Sequence, residues 1–261
     1  MNSGCLPACV KWVWRSNMKV IVNGAGGRMG RALRTMIASG CRGASLAAMV
    51  DPFVQEEGMA CSLPAVTACA DCIIDFSNHA STAELVQYAV EKKLPVVIAT
   101  TGHTEQELAL IHKASEAIPV FYSGNMSLGI ALLTQLARTT AAMFPDADVE
   151  IVESHHNQKL DVPSGTALML ARAVQEARPA SNLLVGRHEN GKRTREEIGI
   201  HSLRMGNTVG IHEVIVNTGT QIITLKHEAQ DRSLFAEGAL AAAAFLCGKA
   251  PGMYNMDDMV R

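Results

Sequence analysis

Short apolar runs alternate with helical patterns through the first half of the chain. The runs are continuous rather than alternately apolar and polar, which is typical of strands buried on both faces. They lie at Lys19–Asn23, Ser45–Val50, Cys72–Phe76, Pro95–Ala99 and Pro119–Tyr122. Helical patterns separate them: a stripe of Met29, Leu33, Met36 and Ile37, a segment around Ser81–Lys92, and one opened by a capping box at residues 104–107 and ending near Ala117. This order predicts an α/β fold with a Rossmann-like, doubly wound parallel sheet.

The pattern changes after Asn125. A longer helical stretch at Leu128–Phe144 precedes a strand at Ala147–Glu153, a helix from about Gly165 and a polar, irregular stretch at Ala180–Glu197. Three strand-like runs follow, at residues 200–204, 213–216 and 221–226, the last two flanking a plausible hairpin turn at 217–220. A final helix covers about 233–247. Strands in succession predict a second α+β domain with a mixed or antiparallel sheet.

Composition narrows the classes of function. A net charge of −2 over 261 residues gives no overall attraction to nucleic acid or to an anionic membrane. No apolar run approaches the ~20 residues that a membrane-spanning helix needs. Residues 1–17 lack the apolar core of a secretory signal, so we expect either a natural start at Met18 or a loose extension before it.

The seven cysteines favour a reducing, cytoplasmic location. They are odd in number in a chain of this length, which argues against a disulfide framework. They stand at Cys5, Cys9, Cys41, Cys61, Cys69, Cys72 and Cys247. The C-x-x-C at Cys69 and Cys72 has no second pair, so we interpret it as two small buried or half-buried thiols rather than as a zinc or redox site.

A glycine-rich turn follows the first predicted strand. It reads Gly24, Ala25, Gly26, Gly27, Arg28, Met29 and Gly30, a G-x-x-G-x-x-G variant of the dinucleotide-binding turn. Glycine allows a pyrophosphate to approach the backbone amides at a helix amino terminus. The next strand ends at Asp51, whose carboxylate can accept bonds from ribose hydroxyls and would repel a 2′-phosphate. We therefore predict a nicotinamide cofactor and favour NADH, while Arg28 leaves NADPH open.

A second motif runs from Glu153 to Ala167 and reads E-S-H-H-N-Q-K-L-D-V-P-S-G-T-A. His155 and His156 can hold or donate a proton near neutral pH, and Lys159 can pair with an anion or give up a proton. The amides of Gly165 and Thr166 at a helix start can bind a carboxylate. The motif predicts a small anionic substrate and a reaction that needs a proton donor. We expect no metal site, because the histidine pair lacks zinc spacing and a third ligand.

This motif resembles the pattern E-x-H-H-x-x-K-x-D-x-P-S-G-T-A of the 4-hydroxy-tetrahydrodipicolinate reductase family. The loop G-A-G-G-R-M-G matches that family's cofactor loop. Three further stretches fall in the family's order and spacing: A-T-T-G at 99–102, S-G-N-M-S at 123–127 and R-M-G-N-T-V-G-I-H-E at 204–213. The resemblance covers nearly the whole chain from Met18. It implies reduction of the dehydrated substrate by NADH or NADPH to tetrahydrodipicolinate, in diaminopimelate and lysine biosynthesis.

The resemblance also implies residue roles. His155 corresponds to the family's catalytic histidine and Lys159 to its proton-donating lysine. The residues at substrate-binding positions are His156, Gly165 and Thr166. The residues expected to border the nicotinamide are Ala99, Thr100, Thr101, Ser123, Gly124, Asn125 and Met126. Ala99 stands where glycine is common and Met126 where an aromatic is common, and both changes keep an apolar wall.

The implied organisation has four parts. They are an extension over residues 1–17, a dinucleotide-binding domain over 18–126, a substrate-binding and oligomerisation domain over 127–231, and a C-terminal segment over 232–261 that returns to the first domain. The family further implies a homotetramer built largely through the second domain's sheet. Two other functions compete with this interpretation. A sensor that only binds the dinucleotide would tend to lose His155 and Lys159, and a dehydrogenase of another small acid would not need the His-His-Lys run.

Overall fold

The computed structural model describes residues 17–54 and 56–260. The predicted extension over residues 1–17 lies outside this range except for Asn17. The chain divides into two compact units. The first extends to Met126 and takes in Phe235–Asn255, and the second comprises Ser127–Leu234 and the residues from Met256 onward.

The first unit is built on a seven-stranded, wholly parallel sheet, which confirms the predicted Rossmann-like fold. In chain order its first elements are β1 (Met18–Asn23), α1 (Arg28–Ala38), β2 (Ala44–Val50), β3 (Met59–Ala60), β4 (Cys72–Asp75), α2 (Thr82–Lys92), β5 (Val96–Ile98), α3 (Glu105–Ser115) and β6 (Pro119–Tyr122). The central strands β4 and β5 are buried along their whole length, as continuous apolar runs require. The capping box at α3 is present, with both Thr104 and Glu107 making their bonds.

The second unit carries a five-stranded mixed sheet, as predicted. Its elements are α4 (Leu128–Met143), β7 (Asp148–His155), α5 (Gly165–Ala177), β8 (Asn182–Val185), β9 (Glu197–Arg204), β10 (Gly210–Asn217) and β11 (Ile222–Ala229), with the strand order β11-β10-β7-β9-β8. The predicted hairpin joins β10 to β11, where the amide of Gly219 donates to the side chain of Asn217 at 2.8 Å.

The chain ends with α6 (Ser233–Leu246), β12 (Gly252–Tyr254) and α7 (Asp257–Val260). β12 pairs with β6 and so forms an edge of the first unit's sheet. α6 is rich in alanine and is buried around most of its circumference, as a helix with almost no polar face must be.

Several details differ from the sequence predictions. β3 and β12 were not predicted, since they are short and only half-buried. β8 lies in the stretch that was predicted to be irregular; it is a half-exposed edge strand, so it has no run of buried apolar residues that would mark it. β7 continues two residues past Glu153. Cys69 is exposed rather than half-buried, whereas Cys72 is buried as expected. No helix among the described residues is both long and apolar enough to cross a membrane.

Replacing Gly30 by Ala tests the packing of α1 against the glycine turn. A β-carbon there would lie 2.1 Å from the carbonyl oxygen of Gly24, which is backbone and cannot move aside. Glycine-to-alanine changes inside helices normally stabilise. Here we expect overpacking to lower the free energy of unfolding by about 1–3 kcal/mol, measured by chemical denaturation.

The matched control is Gly191→Ala. A β-carbon at Gly191 meets nothing within 4 Å, so this variant should stay within about 0.5 kcal/mol of the parent. Equal stability of Gly30→Ala and the parent would contradict the packing described here.

Candidate active site

The glycine turn between β1 and α1 is held by Asp51. The side chain of Asp51 accepts the amide of Gly26 at 3.0 Å, and also the amides of Phe53 at 2.9 Å and Val54 at 3.1 Å. Asp51 was predicted as a ribose acceptor; in the structure its side chain fixes the turn and the segment after β2 through these bonds. A carboxylate has about four acceptor positions, so room for one hydroxyl remains.

Close packing explains two of the glycines. Gly24 has φ = 77°, and a β-carbon there would lie 2.6 Å from the carbonyl oxygen of Phe76. At Gly26 a β-carbon would lie 2.5 Å from the side chain of Val54. Gly27 is the residue before α1, and a β-carbon there would meet only the Gly24 carbonyl, at 3.4 Å. The turn is thus closely packed at Gly24 and Gly26 and open at Gly27, where α1 starts. This arrangement fits a bound pyrophosphate.

A cavity of about 710 Å³ adjoins this turn, and Gly24, Gly27 and Asp51 are among its lining residues. Of the described residues that line it, Asp51 and Glu84 carry negative charge and none is a lysine or arginine. The predicted loop residues Ala25, Gly26, Arg28 and Met29 do not line it; Ala25 is fully buried and Arg28 is exposed. The cavity therefore provides nothing to neutralise a 2′-phosphate.

The strand ends next to β1 carry a second, buried polar cluster. Asp75 is 1% exposed at the end of β4, and it accepts Asn23 at 2.7 Å, Ser77 at 2.5 Å and Thr100 at 2.6 Å. Burial raises the pKa of Asp75, and the bonds from Ser77, Thr100 and Asn23 oppose this rise only in part. Our sequence analysis did not single out Asp75, although an aspartate ending an apolar strand is a recognisable signal.

The predicted nicotinamide residues occupy the loops after β5 and β6. These strands are parallel neighbours, so both loops lie at the carboxyl edge of the sheet, where such folds bind ligands. The hydroxyl of Thr100 donates a hydrogen bond to Asp75, while Thr101 and Gly124 are exposed.

Ala99 is half-buried, and its amide donates to the carbonyl of Asp75 at 3.0 Å. Ser123 donates to the Asn125 carbonyl at 2.8 Å, which shapes its loop, and Met126 is 2% exposed.

In the second unit, the buried face of the sheet ends in polar residues. Along β7, Val149 and Ile151 face the core, and Glu153 and His155 continue the same face two and four residues on. β10 runs antiparallel to β7, so on the same face the polar residue comes first: His212 lies directly opposite Glu153, and Val214, two residues later, lies opposite Ile151. Pairing with β9 sets Arg204 beside His155. The alternation of strand residues thus places four ionisable side chains at the end of an apolar face.

Glu153 is the centre of this group. It has no exposed surface, and Arg204 binds both of its oxygens at 2.9 Å. Nδ1 of His155 lies 2.5 Å from Oε2, and the amide of Ser164 donates to Oε1 at 3.2 Å. Burial alone would raise the pKa of Glu153, but Arg204, Ser202, His155 and the Ser164 amide together outweigh it and lower the pKa to about 2. Glu153 is therefore ionised at any physiological pH.

The two buried imidazoles are both neutral near pH 7. Burial, together with Lys159 and Arg204, lowers the pKa of His155 despite the opposing effect of Glu153. Burial and the nearby His155 lower the pKa of His212 to about 4. Their rings meet edge to face at 5.1 Å, and Nε2 of His212 lies 3.3 Å from the Ser164 hydroxyl.

The remaining predicted residues lie on the segment between β7 and α5. Lys159 forms an ion pair with Asp161 at 2.8 Å, and its side chain is 21% exposed. His156 is half-buried. Ser164 precedes α5 and accepts the Ala167 amide at 3.2 Å, next to the predicted carboxylate site at Gly165 and Thr166. The hydrogen bond from the Ser164 amide to Glu153 ties the start of α5 to β7. The structure therefore brings the strand that carries His155 close to the amino terminus of this helix.

Four residues of this site had no predicted role: Glu153, Ser164, Arg204 and His212. Each of the four lies inside a motif quoted above. Glu153, Arg204 and His212 also stand at every second position after or before the buried apolar residues of their strands, and this spacing is the feature of the sequence that could have indicated them. Among the described residues, no group of three or more histidines, cysteines or carboxylates is arranged to hold a metal.

Comparison with known proteins gives consistent matches. Family models for the amino-terminal and carboxy-terminal parts of dihydrodipicolinate reductase match residues 18–126 and 129–260. The chain is 42% identical to a 4-hydroxy-tetrahydrodipicolinate reductase of Caldanaerobacter subterraneus subsp. tengcongensis, over 94% of this chain and 98% of the relative. It is 40% identical to one of Clostridium novyi, over 93% and 98%.

Solved structures agree with these matches. A dipicolinate-bound dihydrodipicolinate reductase from Paenisporosarcina sp. TG-14 superposes with a TM-score of 0.77 at 25% identity, covering 93% of this chain and 99% of that one. A myo-inositol dehydrogenase from Corynebacterium glutamicum shares the fold, with a TM-score of 0.57 at 15% identity and 90% of each chain covered.

The charge at Asp51 predicts a cofactor preference that can be measured. We expect kcat/KM with NADH to be at least as high as with NADPH. Asp51→Asn keeps the shape and part of the bonding to the turn but removes the charge. A bond to a charged acceptor is worth about 1 kcal/mol more than a neutral one, so the NADH-to-NADPH ratio should fall about fivefold or more.

Steady-state kinetics with both cofactors on the same preparations test this, and melting temperatures show whether the turn survives. Strong preference of the parent for NADPH would contradict it and would indicate Arg28 as a phosphate clamp.

Proposed function

Because the chain belongs to the dihydrodipicolinate reductase family, we propose that His155 and Lys159 carry the proton transfers of its reaction and that the amino terminus of α5 binds a substrate carboxylate. The reaction is the NAD(P)H-dependent reduction of 4-hydroxy-tetrahydrodipicolinate to tetrahydrodipicolinate, in diaminopimelate and lysine biosynthesis. We assign dinucleotide binding to the first unit and substrate binding to the second.

The residues of the first unit fit a dinucleotide. The turn packs at Gly24 against the backbone of Phe76 and at Gly26 against the side chain of Val54, and it is open at Gly27, where α1 starts. Asp51 keeps room for a ribose hydroxyl. The loops that carry Ala99, Thr100, Thr101, Ser123, Gly124, Asn125 and Met126 would border the nicotinamide. A reduced nicotinamide held there would supply the hydride that C4 of the substrate ring accepts once the substrate has lost its 4-hydroxyl as water.

Lys159 is the proposed proton donor to C3. Reduction at C4 pushes electrons of the conjugated imine toward the ring nitrogen and C3, so C3 must take up a proton. Lys159 pairs with Asp161 at 2.8 Å, and the side chain of Asp161 is 57% exposed. An ion pair with one exposed partner is weak enough for the ammonium to change partners when an anionic substrate binds.

His155 is proposed to assist the loss of water or to relay a proton. The observation that carries this assignment is its buried contact with ionised Glu153, at 2.5 Å, on a strand tied to α5 by the Ser164 bond. His156 and the amides of Gly165 and Thr166 would hold the substrate's carboxylates. The Paenisporosarcina structure contains dipicolinate, a planar dicarboxylate, which supports a site of this kind here.

We also propose a homotetramer assembled through the second sheet, and a cytoplasmic location. Helices cover one face of that sheet. Its opposite face carries the exposed apolar side chains of Leu203, 48% exposed, and Ile222, 64% exposed, among charged residues such as Glu213 and Lys226. Exposed apolar residues on such a face support an interface between protein chains. Light scattering should give about four times the chain mass of 27.9 kDa, and a monomer would contradict the proposal.

Loss of either proposed proton-transfer residue should reduce turnover sharply. General acid or base catalysis is worth about 10²–10⁴-fold, so Lys159→Ala and His155→Ala should each lower kcat by a factor in that range. The assay is oxidation of NADH with freshly generated substrate, with NADPH in parallel. NADH affinity should barely change, since the glycine turn belongs to the other unit, and melting temperatures measure what the loss of the Glu153–His155 contact costs in stability. Variants that are stable, bind NADH normally and turn over within threefold of the parent would refute the assignment.

Thr166→Val separates binding from chemistry. The start of α5 would hold the carboxylate in the ground state and the transition state alike, so this variant should raise KM for the substrate and leave kcat close to that of the parent. A fall in kcat without a change in KM would move Thr166 from binding to catalysis.

A further inference from the structure

We propose that Glu153 and Arg204 are positioning residues for His155: they hold its imidazole in the Nδ1–H form, so that Nε2 is the nitrogen that exchanges a proton with the substrate. This inference rests on the proposed role of His155. It adds to that role which nitrogen reacts and which residues select it.

The acceptor positions of Glu153 are all in use. Oε2 faces Nδ1 of His155 at 2.5 Å and accepts Nη1 of Arg204 at 2.9 Å. Oε1 accepts Nη2 of Arg204 at 2.9 Å and the Ser164 amide at 3.2 Å. An ionised carboxylate can only accept hydrogen bonds, and it offers about four positions. Nδ1 of His155 must therefore be the donor, and in a neutral ring this leaves Nε2 without a proton.

Arg204 makes the arrangement rigid. Its guanidinium binds Glu153 through two parallel bonds, which fixes the plane of the carboxylate. Nη2 also donates to the carbonyl of Asp161 at 2.7 Å. Asp161 is the partner of Lys159, so one cation orients both the imidazole and the segment that carries the proposed proton donor.

The other side of the imidazole is kept clear by Gly210. A β-carbon at this position would lie 3.2 Å from Nε2 of His155, closer than side chains normally pack. Gly210 is not among the described glycines with positive φ, so its backbone does not itself demand glycine. The missing side chain instead leaves the space at Nε2 open, on the side opposite to the carboxylate.

Four charged or titratable groups face His155. Glu153 lies on its own strand, Arg204 on β9, His212 on β10, and Lys159 on the segment that follows β7. Burial lowers the pKa of His155, Lys159 and Arg204 lower it further, and only Glu153 raises it. Removing the charge of Glu153 removes the one group that favours the imidazolium. The pKa of His155 must then fall, and any limb of the pH–rate profile that reports it must move to lower pH.

Glu153→Gln is the decisive variant. Its amide can donate to Nδ1 and so permit the wrong tautomer, and we expect kcat to fall about 10–100-fold with KM for substrate within threefold. The limb assigned to His155 should shift to lower pH. Glu107→Gln is the control, because Glu107 binds Nδ1 of His79 at 3.0 Å in the first unit and glutamine also serves in a capping box. It should leave kcat and the profile unchanged.

A second measurement needs no substitution. In the full-length parent protein labelled with ¹⁵N at histidine, chemical shifts distinguish protonated from bare ring nitrogens, and His155→Ala identifies the signals. The expected result is protonated Nδ1 and bare Nε2 near neutral pH. Gly210→Ala should lower kcat by about tenfold by crowding Nε2.

The outcomes separate the inference from the role on which it rests. If His155→Ala retains turnover, the proposed role of His155 fails. If His155→Ala loses turnover but Glu153→Gln keeps parental kcat and an unshifted profile, the role stands and the positioning inference is overturned. The opposite tautomer in the spectrum overturns it as well, even if Glu153→Gln does not fold.

Discussion

An ionised carboxylate with no exposed surface is stable only where donors fill its acceptor positions, and Glu153 is such a group. Its donors come from three different elements of the second unit. They are Arg204 on β9, His155 on β7 itself and the Ser164 amide at the start of α5. Satisfying this one side chain thus fixes the register of two strands, the entry of a helix and the orientation of an imidazole.

The first unit contains a second buried carboxylate with the opposite electrostatics. Asp75 is surrounded by the neutral donors of Asn23, Ser77 and Thr100, so burial prevails and its pKa rises. Glu153 has a guanidinium within 2.9 Å, so its pKa falls to about 2. Both carboxylates have almost no exposed surface, but only Glu153 has a cationic partner, which favours its ionised form. Asp75 is suited to organising loops at the strand ends, whereas Glu153 is suited to holding a permanent negative charge against an imidazole.

Much of the fold follows from hydrophobic patterning. The apolar runs at β1, β4 and β5 are long enough and sharply enough bounded to predict a parallel sheet, and the Thr104 capping box marks the start of α3. β3 and β12 are short and only half-buried, so they contain no run of buried apolar residues that could mark them as strands. β8 buries little at the sheet edge, so its sequence is under weak constraint.

The site was predictable where chemistry is concentrated in a motif and not where it depends on pairing between strands. His155 and Lys159 stand four residues apart and attract notice together. Arg204 lies about 50 residues from Glu153, and their contact follows from strand register, which no local pattern specifies. The same limit applies to Asp51, since the sequence suggests a ligand for ribose but does not reveal the three backbone amides that it holds.

The discontinuity of the first unit has a consequence for how the protein is made. Its sheet is completed by β12, which pairs residues 252–254 with residues 119–121, and most of α6 belongs to the same unit. On the ribosome, residues 18–126 emerge long before these elements exist, and the second unit is synthesised in between. Contacts across so large a separation in sequence form slowly. The nascent first unit must therefore remain without an edge strand and a buried helix until residues 235–254 have been synthesised, an interval in which its exposed apolar surface is open to chaperones.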